Sequence, residues 1–268
     1  MSVPDLLVCS VFAGTEYDRF WLELQRTQLY RNTGEFHHAV YLGHGADRTL
    51  FRDCTIVGQS LCGQFSRPGH EHLGGLKALA EYCRSQRYGS YLILDSDAFP
   101  IAPNWKSAVS GLLARFTKSY AAVVRTENLD TFPHPCVVYT QDPGTLVFDY
   151  QESRAISGLT TLDISCLADE YLPLIRTNRI SPHPLLASIY LDMFYHHGCG
   201  SRQLRMRSIT SGYYDNLLPS SSSSERLLEQ LMKDPTAFIA WLRHGKLAPI
   251  THSQYEEPPS ETVAAQME

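Results

Sequence analysis

Through its first 150 residues the chain alternates short apolar runs with stretches of helical period. No other feature constrains its fold as much. "DLLVCSVFAG" (5–14) is rich in Val and Leu and closes on Gly14, as expected of a buried parallel strand that runs into a loop. In "YDRFWLELQRTQLYRN" (17–32), Tyr17, Phe20, Trp21 and Leu24 share one helical stripe, and Asn32-Thr33-Gly34 is a stop signal. "HHAVYLG" (37–43) and "RTLFRDCTIVG" (48–58) predict further strands. "SRPGHEHLGGLKALAEYCRSQR" (66–87) predicts a helix with Leu76, Leu79 and Cys83 turned inward, and Gly89 ends the pattern. The strand "SYLILDSD", a helix over 104–119, and strands in 120–128, 136–141 and 144–150 follow. This order predicts an α/β fold, a sheet with helices on both faces whose ligands sit at the carboxyl ends of its strands.

Beyond residue 160 the pattern weakens. "CLADEYLPLIRTN" reads as helical, and "SIYLDMFYHHGCGSR" as a strand or short helix ending in a glycine-rich turn. "PSSSSSE" (219–225) is low-complexity and expected to be mobile. Residues 225–247 predict two short helices split by Pro235, and 253–268 a disordered polar tail. The domain reading is therefore a main domain over 1–218, a flexible linker with a helical appendage over 219–252, and the tail.

The net charge of −5 and the absence of a basic block argue against a nucleic-acid partner. No apolar run reaches the roughly 18 residues needed to span a bilayer. The start has no basic region of the signal-peptide kind, so a cytoplasmic protein is expected. Seven cysteines without a CxxC pair read as reduced and mostly buried, with Cys199 alone in a site-like context beside two histidines.

Within the frame of alternating elements one motif carries chemistry. The apolar Tyr91-Leu92-Ile93-Leu94 ends in Asp95-Ser96-Asp97. Residues i and i+2 of an extended chain share a face, so both carboxylates can be aimed at one ion while Ser96 points away. Hard oxygen ligands suit Mg2+ or Mn2+, which commonly bridge protein carboxylates and phosphates. Asp-Ser-Asp is also a common turn or capping sequence. A phosphatase reading, with the first Asp as nucleophile, is weakened by the motif's late position and by Phe99 two places beyond it.

"LILDSDAFPI" resembles the DxD motif of metal-dependent glycosyltransferases with the GT-A fold, and "GHEHLGGLKALAEYCRSQRYGSY" resembles the stretch that leads into it. The likeness implies a Rossmann-like mixed sheet flanked by helices, to which the two helices read in 225–247 add a small C-terminal helical appendage. It also implies a nucleotide-diphosphate sugar donor, UDP-sugar favoured, and a hydroxyl acceptor. Carried over, Asp97 is the direct ligand of Mn2+ or Mg2+, and Asp95 the nucleotide-side ligand.

Other positions follow from the same resemblance. "FYHHGCGSR" (194–202) resembles the late histidine ligand with its glycine and basic neighbours. His196 and His197 are expected to point apart. His197 is the favoured ligand, with Gly198, Gly200 and Arg202 near the diphosphate. After the first strand, Val11, Phe12 and Ala13 border the base and ribose, and Tyr17 stacks on the base. Lys77 and Ser96 lie on the donor side, and His70 and His72 near the donor sugar. Arg125, Glu127, Asn128 and His134 shape the acceptor pocket, and Asp163 or Glu170 is the general base that an inverting transfer requires. Each also has a simpler reading as core, loop or solvated residue. A sugar-phosphate nucleotidyltransferase is the rival enzyme, although "VFAGTEYD" lacks its glycine-rich basic loop. An inactive nucleotide-sugar-binding scaffold is the non-enzymatic rival, and a homo-oligomer is compatible with either.

Overall fold

The computed structural model describes residues 5–66, 68–124, 132–154, 160–177, 187–198 and 222–243. The expected alternation is present. β1 (Leu6–Phe12), α1 (Asp18–Thr33), β2 (His37–Leu42), β3 (Thr55–Gln59), α2 (Pro68–Ser85) and β4 (Ser90–Asp95) follow one another. β5 (Ala98–Pro100), α3 (Trp105–Phe116), β6 (Tyr120–Val124) and β7 (Pro133–Thr140) come next. The remaining strands are β8 (Phe148–Arg154), β9 (Thr160–Cys166), β10 (Tyr171–Leu174), β11 (Ser188–Tyr190) and β12 (Phe194–His196). Two helices, α4 (Ser222–Lys233) and α5 (Pro235–Arg243), complete the described chain.

Seven strands form the central sheet in the order β10-β6-β7-β4-β1-β2-β3. β7 runs against β4 and β6, and every other pairing is parallel. β1 is buried along its whole length, and its side chains divide by parity. Leu7, Cys9 and Val11 pack toward α2, while Leu6 and Val8 pack toward Trp105, Val109 and Leu112 of α3. A sheet buried on both faces needs the near-continuous apolar runs seen in the sequence. Strand order reverses between β1 and β4, and the carboxyl ends of these two strands flank that switch point.

Two smaller β-units attach to this frame. β11, β12 and β5 form an antiparallel three-stranded sheet. β8 and β9 form a hairpin whose Phe148 and Ile164 join the core beneath α2. The expected strand in 144–150 thus begins only at Phe148, after a 3-10 turn at Pro143–Thr145.

The expected helix in "CLADEYLPLIRTN" is a strand instead. β10 lies parallel to β6 at the sheet edge. Pro173 obstructs a helix but is tolerated on an edge strand, and burial alternates from Tyr171 to Leu174. Ser222 to Glu225 of the expected mobile run open α4. Asp234 caps α5, accepting from the Ala237 N–H at 2.9 Å, with Pro235 at its first position. Leu228 and Leu231 of α4 and Phe238, Ile239 and Leu242 of α5 pack with Trp21, Phe99 and Tyr195. The helical pair is therefore part of the core around α1, β5 and β12. Residues 253–268 lie outside the described chain. Among the described residues, no helix is long and apolar enough to cross a membrane.

Candidate functional site

β4 delivers Asp95 to the carboxyl edge of the sheet, in register with Val11 of β1. The chain then turns through Ser96 and Asp97 and goes straight into β5. β12 pairs with β5 so that His196 stands opposite Ala98, and the His197 N–H donates to the Asp97 carbonyl at 3.1 Å. One long-range strand pairing thus places a histidine beside the turn.

That histidine is His196. Its Nε2 lies 3.5 Å from Asp95 Oδ2 and 3.4 Å from Asp97 Oδ1. One ligand atom from each of Asp95, Asp97 and His196 falls within 4.8 Å of the others. His197, the residue favoured from sequence, points the opposite way. It is buried, its Nδ1 is 2.6 Å from the Tyr195 hydroxyl, and its ring lies against Trp21 with centroids 5.4 Å apart. The reason is strand alternation: once His196 faces the carboxylates, its neighbour must face the core.

The electrostatics agree with this division. Burial alone would raise the Asp95 pKa, but the imidazoles of His196 and His72 hold it well below the ordinary carboxylate range. Burial also works against a charge on His196. The Cys136 sulfur and the Asp97 and Asp95 carboxylates raise its pKa well above the usual value. In the metal-free chain an imidazolium therefore stands between two carboxylates. His197, by contrast, is lowered to about 4 by its burial and kept neutral.

Two carboxylates and an imidazole are a donor set for a divalent cation, with the imidazole favouring Mn2+ and later ions over Mg2+. The buried Asp95 Oδ1 has no aligned hydrogen bond, although His72 Nε2 lies 3.3 Å away.

The turn is also held from beneath, by a residue that the sequence did not single out. Gln25 of α1 is fully buried. Its Nε2 donates to the carbonyls of Asp95 (2.9 Å) and Ala98 (2.8 Å), and its Oε1 accepts from Ser10 Oγ at 3.0 Å. His38 Nε2 lies 3.3 Å from the same hydroxyl. The only signal for Gln25 was a polar residue at a position with the period of the α1 core stripe.

The remaining expected residues divide. Val11 is buried beside Tyr41 and Gly75, and Ala13 is half-buried in the loop after β1. Phe12 is fully buried against Phe51, with ring centroids 4.9 Å apart. Tyr17 is half-buried against the cluster around α1. The loop after β1 is closed by Asp18, which accepts from the Gly14 and Thr15 N–H groups. Gly14 there has φ +76°, and a Cβ would stand 2.7 Å from the His44 carbonyl oxygen. Ser96 is half-buried in the turn. Lys77 leaves the site and pairs with Asp149 of β8 at 3.5 Å. His70 packs edge-on to Tyr150.

Asp163 stands 3.8 Å from His134 Nε2. Ser165, two residues on, donates to the carbonyl of Pro133, where β7 begins at the site edge. Glu170 is at the opposite edge, just before β10, where its carbonyl accepts from Ser119 N–H. It is not placed to act as the base. Gly200, Arg202, Cys199, Arg125, Glu127 and Asn128 lie outside the described residues, whereas Gly198 is buried with φ +59°.

No family model matches the chain, and no curated protein is similar to it. Among solved structures, residues 1–349 of S. aureus TarS are 13% identical with a TM-score of 0.34, covering 51% of this chain and 47% of that one. The mannosyltransferase PcManGT from Pyrobaculum calidifontis, in complex with GDP-Man and Mn2+, is 12% identical with a TM-score of 0.36, covering 53% and 45%. CMP:2-keto-3-deoxy-manno-octonic acid synthetase complexed with CTP is 12% identical with a TM-score of 0.33, covering 87% and 86%. The aligned part is about half the length of the first two. At such scores the likeness carries no argument, and the fold and site rest on this chain's own geometry.

Proposed function

We propose that the protein is a metal-dependent glycosyltransferase of the GT-A type, moving a sugar from a nucleotide-diphosphate donor to an acceptor hydroxyl. The observation that carries this reading is the Asp95–Asp97–His196 cluster at the carboxyl edge of the sheet, where strand order reverses. Asp97 and His196 would hold Mn2+ or Mg2+, and Asp95 the same ion or the nucleotide side. Once bound, the ion would offset diphosphate charge and stabilise the leaving nucleotide.

The chain's own residues would do the rest. The switch point between β1 and β4 would receive the nucleoside, with Val11, Ala13 and Tyr17 proposed as its contacts and UDP the favoured base carrier from the motif resemblance. Ser96 stays on the donor side of the turn, and Gly200 and Arg202 remain proposals for the diphosphate. In an inverting transfer Asp163 would take the acceptor proton, with the His134 ring close enough to orient its carboxylate.

The test is calorimetric titration of UDP, GDP and their sugar conjugates, with and without Mn2+, on the wild type and on Asp97→Ala. Binding that requires Mn2+ and disappears in Asp97→Ala is the expected result. Binding that survives the substitution unchanged would sink the site assignment. A chain that binds CTP and a sugar acid together, and no nucleotide sugar, would favour a nucleotidyltransferase.

A further inference from the structure

Asp95 is touched from three directions, and the third is unaccounted for. Its carbonyl is held by Gln25, and its Oδ2 faces His196. Its Oδ1 faces His72 Nε2 at 3.3 Å, and both side chains are more than four-fifths buried. His72 lies outside the compact Asp95–Asp97–His196 group.

His72 is there because α2 lies close on the sheet. Gly75, one helical turn further on, meets Val11 and Tyr41. A Cβ at Gly75 would stand 2.8 Å from Tyr41 Cδ1 and 3.0 Å from Val11 Cγ2. Val11 is in register with Asp95 on the adjacent strand. Residues i and i−3 of a helix share a face, so the contact that seats Gly75 over Val11 turns His72 toward Asp95.

We propose that His72 is a positioning residue for the cation site, acting through Asp95. It holds Oδ1 on the α2 side, which leaves Oδ2 directed at the space shared with Asp97 and His196. This rests on the reading of that cluster as a cation site. A ligating carboxylate free to swing would spend much of its time pointing away from the ion. Removing an outer-shell partner of this kind typically weakens metal binding about 10–100-fold.

The test uses Mn2+ alone with the full chain, following the free-ion signal by electron paramagnetic resonance. His72→Ala is expected to weaken Mn2+ about 10–100-fold, and His72→Gln, which keeps a side-chain N–H, to recover most of the loss. The metal-free thermal midpoint should change alike in both variants, so that their difference in Mn2+ affinity is not a difference in fold. Electron spin-echo modulation should report one coordinated imidazole in the wild type, that of His196, and none in His196→Ala. Wild-type binding unaffected by His72→Ala overturns the proposal while leaving the cation site standing. Two coordinated imidazoles also overturn it, by making His72 a ligand. Equal losses in both His72 variants, together with a lowered metal-free midpoint, reduce the role to packing. A wild type that binds no Mn2+ overturns the cation reading itself.

Discussion

The backbone N–H of His197 donates to the carbonyl of Asp97 at 3.1 Å, and that bond sets which of two adjacent histidines faces the carboxylates. His196→Ala should sharply weaken Mn2+ binding, because the cluster loses its imidazole ligand. His197→Ala should keep Mn2+ binding but cost about 1–3 kcal/mol of stability, because the buried Tyr195 hydroxyl loses its partner. Urea denaturation alongside Mn2+ titration of both variants reads the two effects separately. The reverse pattern would reinstate His197 as the ligand.

Gln25 ties α1 to both ends of the Asp95–Asp97 turn. Gln25→Leu keeps comparable volume but leaves two buried carbonyls and the Ser10 hydroxyl short of partners. The expected loss is about 1–3 kcal/mol for each group left unsatisfied. Mn2+ affinity should fall as well, since the turn that carries both carboxylates loosens. A variant with reduced stability and wild-type Mn2+ affinity would show that the turn holds its shape without Gln25.

His38 gives the fold a pH dependence. Burial, with a smaller push from Arg26, lowers its pKa from 6.5 to about 3. Between those values the unfolded chain binds a proton that the folded chain excludes. Stability therefore rises with pH across this window and falls on acidification, by up to about 1.4 kcal/mol per pH unit for one group. His197 acts in the same sense between 6.5 and about 4. In His38→Gln the slope of unfolding free energy against pH, measured from pH 4.5 to 6.5, should flatten by about one proton relative to the wild type. An unchanged slope would mean that His38 is not the group excluded.

The α4–α5 pair is bound into the core rather than hung from it. Leu231 is fully buried in the cluster with Phe99 and Tyr195. Leu231→Ala should cost about 2–5 kcal/mol, whereas exposed Met232→Ala should stay within about 0.5 kcal/mol. Arg243 donates to Asn32 Oδ1 at 2.8 Å and to the Ile101 carbonyl, which anchors the end of α5 to α1 and to the residue after β5. Thermal melts of Leu231→Ala that show a second, separate transition would argue that the pair unfolds on its own.

The sequence by itself determined the α/β order, the burial of β1, and the place of Asp95 and Asp97 at the end of a buried strand. Each is a local consequence of side-chain period and of which residues can be buried together. What it left open depended on contacts between segments far apart in the chain. β10 read as a helix because its short apolar run fits both periods, and only pairing with β6 decides. The pairing of β12 with β5 decided between His196 and His197, because a shift of one residue exchanges the two faces of a strand. Gln25 and His72 are ordinary polar residues on helices until tertiary packing aims one at the Asp95 carbonyl and the other at its carboxylate. Local period tells which face is buried, but only register and helix docking set what that face meets.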